Sequence, residues 1–146
     1  MNAIIVGCSH RKAGRGEYAA LDLYEGGCVP QLRDRVHARP SLRDRIFILS
    51  ARYGLVGAND RIASYDQQMT LSRARELERS VSSALIARVL ATPHPDELMV
   101  LMEPIYLVAL AELFRADARP WVHWFPEPAS DWTAACKVID RWGWPK

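Results

Sequence analysis

Ile4-Ile5-Val6-Gly7-Cys8-Ser9-His10-Arg11-Lys12 is a hydrophobic run that stops abruptly at small, nucleophilic and basic residues. In a parallel sheet an interior strand is buried on both faces and reads as continuous apolar sequence, and ligands collect just beyond the carboxyl ends of the strands. The stretch therefore predicts a buried parallel strand that delivers residues 8–12 to a functional junction. Short apolar runs recur at residues 46–49, 98–102 and 121–125, and the first two of these also resemble buried strands.

Helical patterns lie between the runs. Residues 18–24 read as a short helix ending at Gly26-Gly27, and residues 29–38 as a second, with Pro30 in its first turn and Pro40 beyond its end. The clearest helix covers residues 72–90, where Leu77, Val81, Leu85 and Val89 recur every four residues and Ala74 and Ala84 widen the stripe. Thr92-Pro93-His94-Pro95 breaks the pattern before the third strand, and further helices are expected over about residues 105–114 and 130–141. Because parallel neighbours need crossover connections, this alternation predicts a three-layer α/β/α domain with a mostly parallel central sheet, occupying residues 1–146 as one unit.

The 146 residues suffice to bury a core without metal or disulfide support, and the 49% hydrophobic, 25% charged composition is that of a globular protein. No membrane span and no secretory signal is legible, which points to the cytoplasm. The odd, widely spaced cysteines Cys8, Cys28 and Cys136 suit free thiols, and no spacing suggests a metal site; no cofactor is expected. Only three of the 19 basic residues are lysines, so arginine dominates the cations, but the arginines are dispersed and the net charge is only +2. Non-specific duplex binding is not favoured by such a distribution.

Three strand-end junctions and one loop carry candidate chemistry. At the first, backbone N–H groups, the Ser9 hydroxyl and the charge of Arg11 or Lys12 suit a phosphate or carboxylate, although the spacing is not that of a Walker loop. Cys8 is either a nucleophile, with His10 as the nearest base in sequence, or a small buried side chain. At the second, Ser50 and Arg52 offer polar walls, Tyr53 a stacking surface and Gly54 close backbone approach, and this junction is expected beside the first. Tyr65 and Asp66 fall in a loop where they bind a base or ribose, or cap and brace the helix that follows. Glu103, ending the third strand, is a general acid/base or nucleophile if it faces a ligand, and a helix N-terminal charge if not.

All five tryptophans, Trp121, Trp124, Trp132, Trp142 and Trp144, lie in the last quarter of the chain. Their strand and helix positions favour core packing or a homodimer contact over a base-stacking platform. His37, His94 and His123 show no ligand spacing and read as structural or exposed.

Together, GCSHRK at residues 7–12, DLYEG at 22–26, LSARYGLV at 49–56 and IASYDQQMT at 62–70 resemble a small bacterial and phage domain-of-unknown-function family with the pattern CSxxK, DLY, LSAKYGL and PYD. That family is similar to the YaaA-type proteins and to the related domain of archaeosine synthase. The resemblance covers about the first half of the chain and implies a uracil-DNA-glycosylase-like α/β fold and nucleobase or nucleic-acid processing. The site it implies comprises Cys8, Ser9 and Lys12, then Asp22 and Tyr24, then Ser50, Arg52, Tyr53 and Gly54, and lastly Tyr65 and Asp66. Two positions depart from the pattern, Arg52 where lysine is common and Ser64 where proline is common. An arginine keeps the charge but changes its reach and hydrogen-bond geometry.

The expected function is a nucleotide- or nucleobase-processing enzyme that cleaves or exchanges an N-glycosidic bond, with Asp66, Glu103 and Cys8 as candidate catalytic groups. The alternatives are a non-catalytic nucleic-acid-binding module and a thiol-dependent acyl or amide transferase using Cys8. The expected partner is a small nucleotide or nucleobase, with nucleic acid as a further candidate, no membrane, and a homodimer as the candidate assembly.

Overall fold

The computed structural model describes every residue except 92, 116 and 118. The chain opens with β1 (Asn2–Gly7), followed by a short β2 (Glu17–Ala19), helices α1 (Ala20–Leu23) and α2 (Val29–Val36), and a 3-10 segment at Pro40–Arg45. A hairpin of β3 (Ile46–Ser50) and β4 (Gly54–Gly57) leads through β5 (Arg61–Ala63) to α3 (Leu71–Ala84), which continues as a π turn at Leu85–Val89. Next come β6 (Glu97–Leu101), α4 (Pro104–Leu107), α5 (Ala111–Arg115), β7 (Trp121–Phe125) and α6 (Pro128–Arg141).

Five strands form one sheet in the order β4-β3-β1-β6-β7, parallel throughout except for β4, while β2 and β5 make a separate antiparallel pair. The buried strands alternate their side chains between two cores. Ile4, Val6, Ile46, Ile48, Met99 and Leu101 pack with α1, α2 and α6 on one face. Ile5, Phe47, Leu49, Leu98 and Val100 pack with α3 and α5 on the other, where α3 supplies Ala74, Leu77 and Val81. The expected α/β architecture with a mostly parallel sheet is what the chain adopts. Thr70 starts α3 by accepting a hydrogen bond from the Arg73 N–H at 3.1 Å.

Several boundaries differ from the sequence reading. The helix expected over residues 18–24 is reduced to α1, because Tyr18 sits in β2 opposite Ile62. The helix expected over 105–114 is two short pieces, α4 and α5, joined by a turn in which Leu110 N–H bonds to the Leu107 carbonyl. Strands β2, β4 and β5 are additions to the expected set, each three or four residues long. Of the interruption expected at residues 92–95, Thr92 lies outside the described residues. Trp144 is buried and Trp132 and Trp142 pack against the core, whereas Trp121 and Trp124 are exposed, so core packing accounts for only part of the tryptophan cluster. Among the described residues no helix is long and apolar enough to cross a membrane.

A polar clamp ties the carboxy-terminal elements to the sheet. The Glu97 carboxylate meets His123 Nε2 of β7 at 2.7 Å, Arg141 of α6 at 2.6 Å and the Trp142 indole N–H at 3.0 Å. These partners, His123 first, hold the Glu97 carboxyl below its ordinary range.

Candidate functional site

From β1 the chain travels to β3 on one side of the sheet, while β6 and β7 lie on the other, so the strand order reverses between β1 and β6. At such a switch point the loops leaving neighbouring strands diverge and open a crevice at their carboxyl ends. A cavity of about 800 Å³ occupies that position. Its floor is the end of β1 from Val6 to Cys8, and its walls come from Glu103 to Tyr106 after β6 and from Pro126 to Ser130 after β7. Gly27 and Cys28 at the start of α2 and Gln67 to Met69 before α3 complete the lining. The starts of α2 and α6 thus border one space; neither N-cap side chain caps its helix, while the Asp131 carboxylate in the first turn of α6 accepts from the Glu127 N–H at 3.0 Å and the Val29 N–H of α2 goes to the Gly26 carbonyl. Their backbone N–H groups and the positive helix ends favour an anionic ligand group there.

Of the expected site residues, Cys8, Ser9 and Glu103 line this cavity, joined by His10. Glu103 is exposed on the rim. Tyr106 reaches back from α4 to donate to the Cys8 carbonyl at 3.0 Å, and its hydroxyl lies 3.4 Å from Cys8 Sγ. Since the Tyr106 proton is committed to the carbonyl, the thiol is the donor in the contact with sulfur. Burial first, with Cys8 alongside, pushes the Tyr106 phenol well above its ordinary range, so it stays protonated. The three cysteines are unpaired, and burial pushes the Cys28 thiol up to about 12.

The basic end of the first junction braces its own loop. Ser9 Oγ donates to the Arg11 carbonyl at 3.0 Å and accepts from the Gly26 N–H at 3.1 Å. A side chain at Gly26 would meet Ser9 Cβ at 3.0 Å, so glycine permits this approach. Lys12 Nζ donates to the His10 carbonyl at 3.0 Å and lies 4.4 Å from the centre of the Tyr65 ring. Arg11 is exposed, and its carbonyl accepts from the Glu25 N–H. Neither Arg11 nor Lys12 lines the cavity.

Tyr24, Ser50, Tyr53 and Tyr65 do come together, but as a braced cluster beside the cavity. Ser50 Oγ accepts the N–H groups of Arg52 at 3.2 Å and Tyr53 at 3.1 Å. With both lone pairs used, its own proton goes to Tyr65 Oη at 2.9 Å, and Tyr65 donates in turn to Tyr24 Oη at 2.7 Å. Burial raises both phenols far above the ordinary tyrosine range. Tyr53 stacks edge-on against Tyr65 at 5.5 Å and donates to the Ala63 carbonyl.

The remaining candidates are elsewhere. Asp22 forms a two-pronged ion pair with Arg43, at 3.2 and 3.1 Å, beside a smaller cavity under α2. Gly54 has φ +76°, which serves the β3–β4 turn, and a side chain added there would face Ser80, Val81 and Leu77 of α3. Arg52 is exposed above Tyr53, with its carbonyl held by Arg73. Asp66 is exposed and immediately precedes the cavity-lining Gln67.

Sequence reasoning missed the wall formed by residues 126–130 and the contribution of Gly27, Cys28 and Tyr106. The signal for the first was present: Phe125-Pro126-Glu127-Pro128 is also a strand that stops at polar and helix-starting residues. Among the described residues, no three His, Cys, Asp or Glu side chains are grouped to hold a metal ion.

Helices on both faces of a mostly parallel sheet define the class of doubly wound α/β domains. Within that class, this chain belongs to a family of unknown function, DUF6884, whose model matches residues 3–123. No curated protein and no solved structure matches the chain.

Proposed function

We propose that the protein is an enzyme acting on a nucleotide or nucleobase and that it cleaves or exchanges an N-glycosidic bond at the switch-point cavity. The observation that carries this reading is the convergence of the β1, β6 and β7 ends, the starts of two helices and the Glu103 carboxylate on one cavity of about 800 Å³. That volume lies within the ~300–1,000 Å³ range of small-molecule sites. The similarity of the motifs to the YaaA-type proteins and the archaeosine synthase domain points to the same substrate class.

In this reading the phosphate sits at the first turns of α2 and α6, where N–H groups and helix dipoles neutralise it without basic side chains. Glu103 stabilises the oxocarbenium-like sugar or deprotonates the attacking water or acceptor. The bond from the anomeric carbon to the base nitrogen breaks, the base leaves with the electron pair and takes up a proton, and the sugar gains the incoming oxygen or nitrogen. Tyr106 and Cys8 form the wall against which the substrate is held.

The test is a panel of nucleosides and nucleotides, read by thermal stabilisation and by chromatography of released base. Stabilisation by a nucleotide together with base release is the expected result, and Glu103→Gln lowers release by about 100-fold or more while leaving the exposed position's stability unchanged. No stabilisation by any nucleotide, with a normally folded protein, overturns the proposal.

A further inference from the structure

The two edges of the sheet are finished differently. At one edge every residue of β4 is buried. At the other, β7 ends the sheet with Trp121 71% and Trp124 41% exposed. Trp121 N–H bonds to the Asp96 carbonyl, and the Phe125 carbonyl accepts from Met102 N–H, so the odd-numbered residues of β7 turn their backbone toward β6. Val122 and Trp124 consequently point their N–H and C=O groups outward, an unpaired edge of the kind that proteins normally blunt or cover.

We propose that this edge is covered by a second copy of the chain, through antiparallel pairing of β7 with β7 about a two-fold axis at His123. The sequence around that axis is self-complementary. Residues equidistant from His123 face each other across the pair, which sets Val122 opposite the partner's Trp124 and Trp121 opposite the partner's Phe125. The Val122–Trp124 pairs are the ones whose outward backbone groups meet, so they exchange four N–H···O=C bonds, while the Trp121–Phe125 pairs take the closer non-hydrogen-bonded spacing that suits side-chain contact. Beyond the strand, Pro120 faces the partner's Pro126, two residues that have no N–H to pair, and Arg119 faces the partner's Glu127.

Sliding the pair breaks this match. Centring it on Trp124 sets Trp121 against the partner's Glu127, and centring it on Val122 sets Trp124 against the partner's Pro120. Registers centred between residues pair an outward backbone with an inward one and are excluded. The charge match at both ends and the cover given to both exposed indoles single out a second copy as the occupant. The two sheets join into one of ten strands, and each cavity keeps its own residues, with its 126–130 wall steadied at the interface.

Sedimentation equilibrium of the full chain over a micromolar concentration series tests this. The wild type is expected at twice its 16.5 kDa mass. Trp121→Lys returns it to single mass with its circular dichroism unchanged. Arg119→Glu and Glu127→Arg each weaken dimerisation by about tenfold, because like charges then meet at both ends, and the double exchange restores it. A monomeric wild type overturns the proposal, whether the edge then binds nucleic acid or another protein. So does a dimer indifferent to Trp121→Lys and to the charge reversals. If Trp121→Lys fails to fold, the charge-exchange set decides by itself.

Discussion

Single residues divide into those whose polar atoms are engaged by the fold and those that stand exposed. Ser9, Lys12, Ser50, Tyr24 and Tyr65 have their polar atoms engaged within the chain, while Glu103 stands exposed on the cavity rim. The hydroxyl chain from Ser50 through Tyr65 to the fully buried Tyr24 depends on its middle member. Tyr65→Phe removes the hydroxyl that bonds both Ser50 and the buried Tyr24, so urea unfolding is expected to show a loss of ~1–3 kcal/mol. The motif residues were readable as a group that belongs together, since Tyr24, Ser50 and Tyr65 do meet. Their role was not readable, because a hydroxyl that binds a ligand and one that binds another hydroxyl look alike in sequence.

Elements were legible where burial imposed a period. Strands β1, β3 and β6 were visible as apolar runs, and the stripe of α3 ran on through Leu85 and Val89 of the π turn. Short β2, β4 and β5 carry too few residues for periodicity and are held by partners distant in the chain, such as Tyr18 opposite Ile62. The turn between β3 and β4 shows how one backbone position decides an element. Gly54 has φ +76°, and a side chain there would find only ordinary contacts, the nearest at 3.5 Å from Ser80 Oγ. Gly54→Ala is therefore expected to cost ~1–2 kcal/mol through backbone strain alone. Denaturant unfolding reads that loss, and ligand stabilisation of the cavity is expected to be unchanged.

For the whole molecule, the Glu97 clamp joins β6, β7 and α6 and makes stability depend on pH. A carboxyl whose folded pKa is depressed contributes stability that is fully present above its unfolded pKa and is lost as the pH falls through the folded value. The loss should therefore set in as the pH falls through the ordinary glutamate range and continue below it, and Glu97→Gln should flatten the pH dependence there, as measured by urea midpoints between neutral pH and about pH 3. The sequence by itself determined the α/β class, the strands of the sheet interior and the three junctions that end them, because hydrophobic burial writes its period locally. Only the tertiary structure decided that β1 and β6 flank the switch point and that residues 126–130 form the opposite wall. It also decided that Ser9 and Lys12 brace a loop, and that Trp121 and Trp124 stand on an open edge. These outcomes depend on strand order and on which distant groups satisfy one another's hydrogen bonds, and neither is encoded in local pattern.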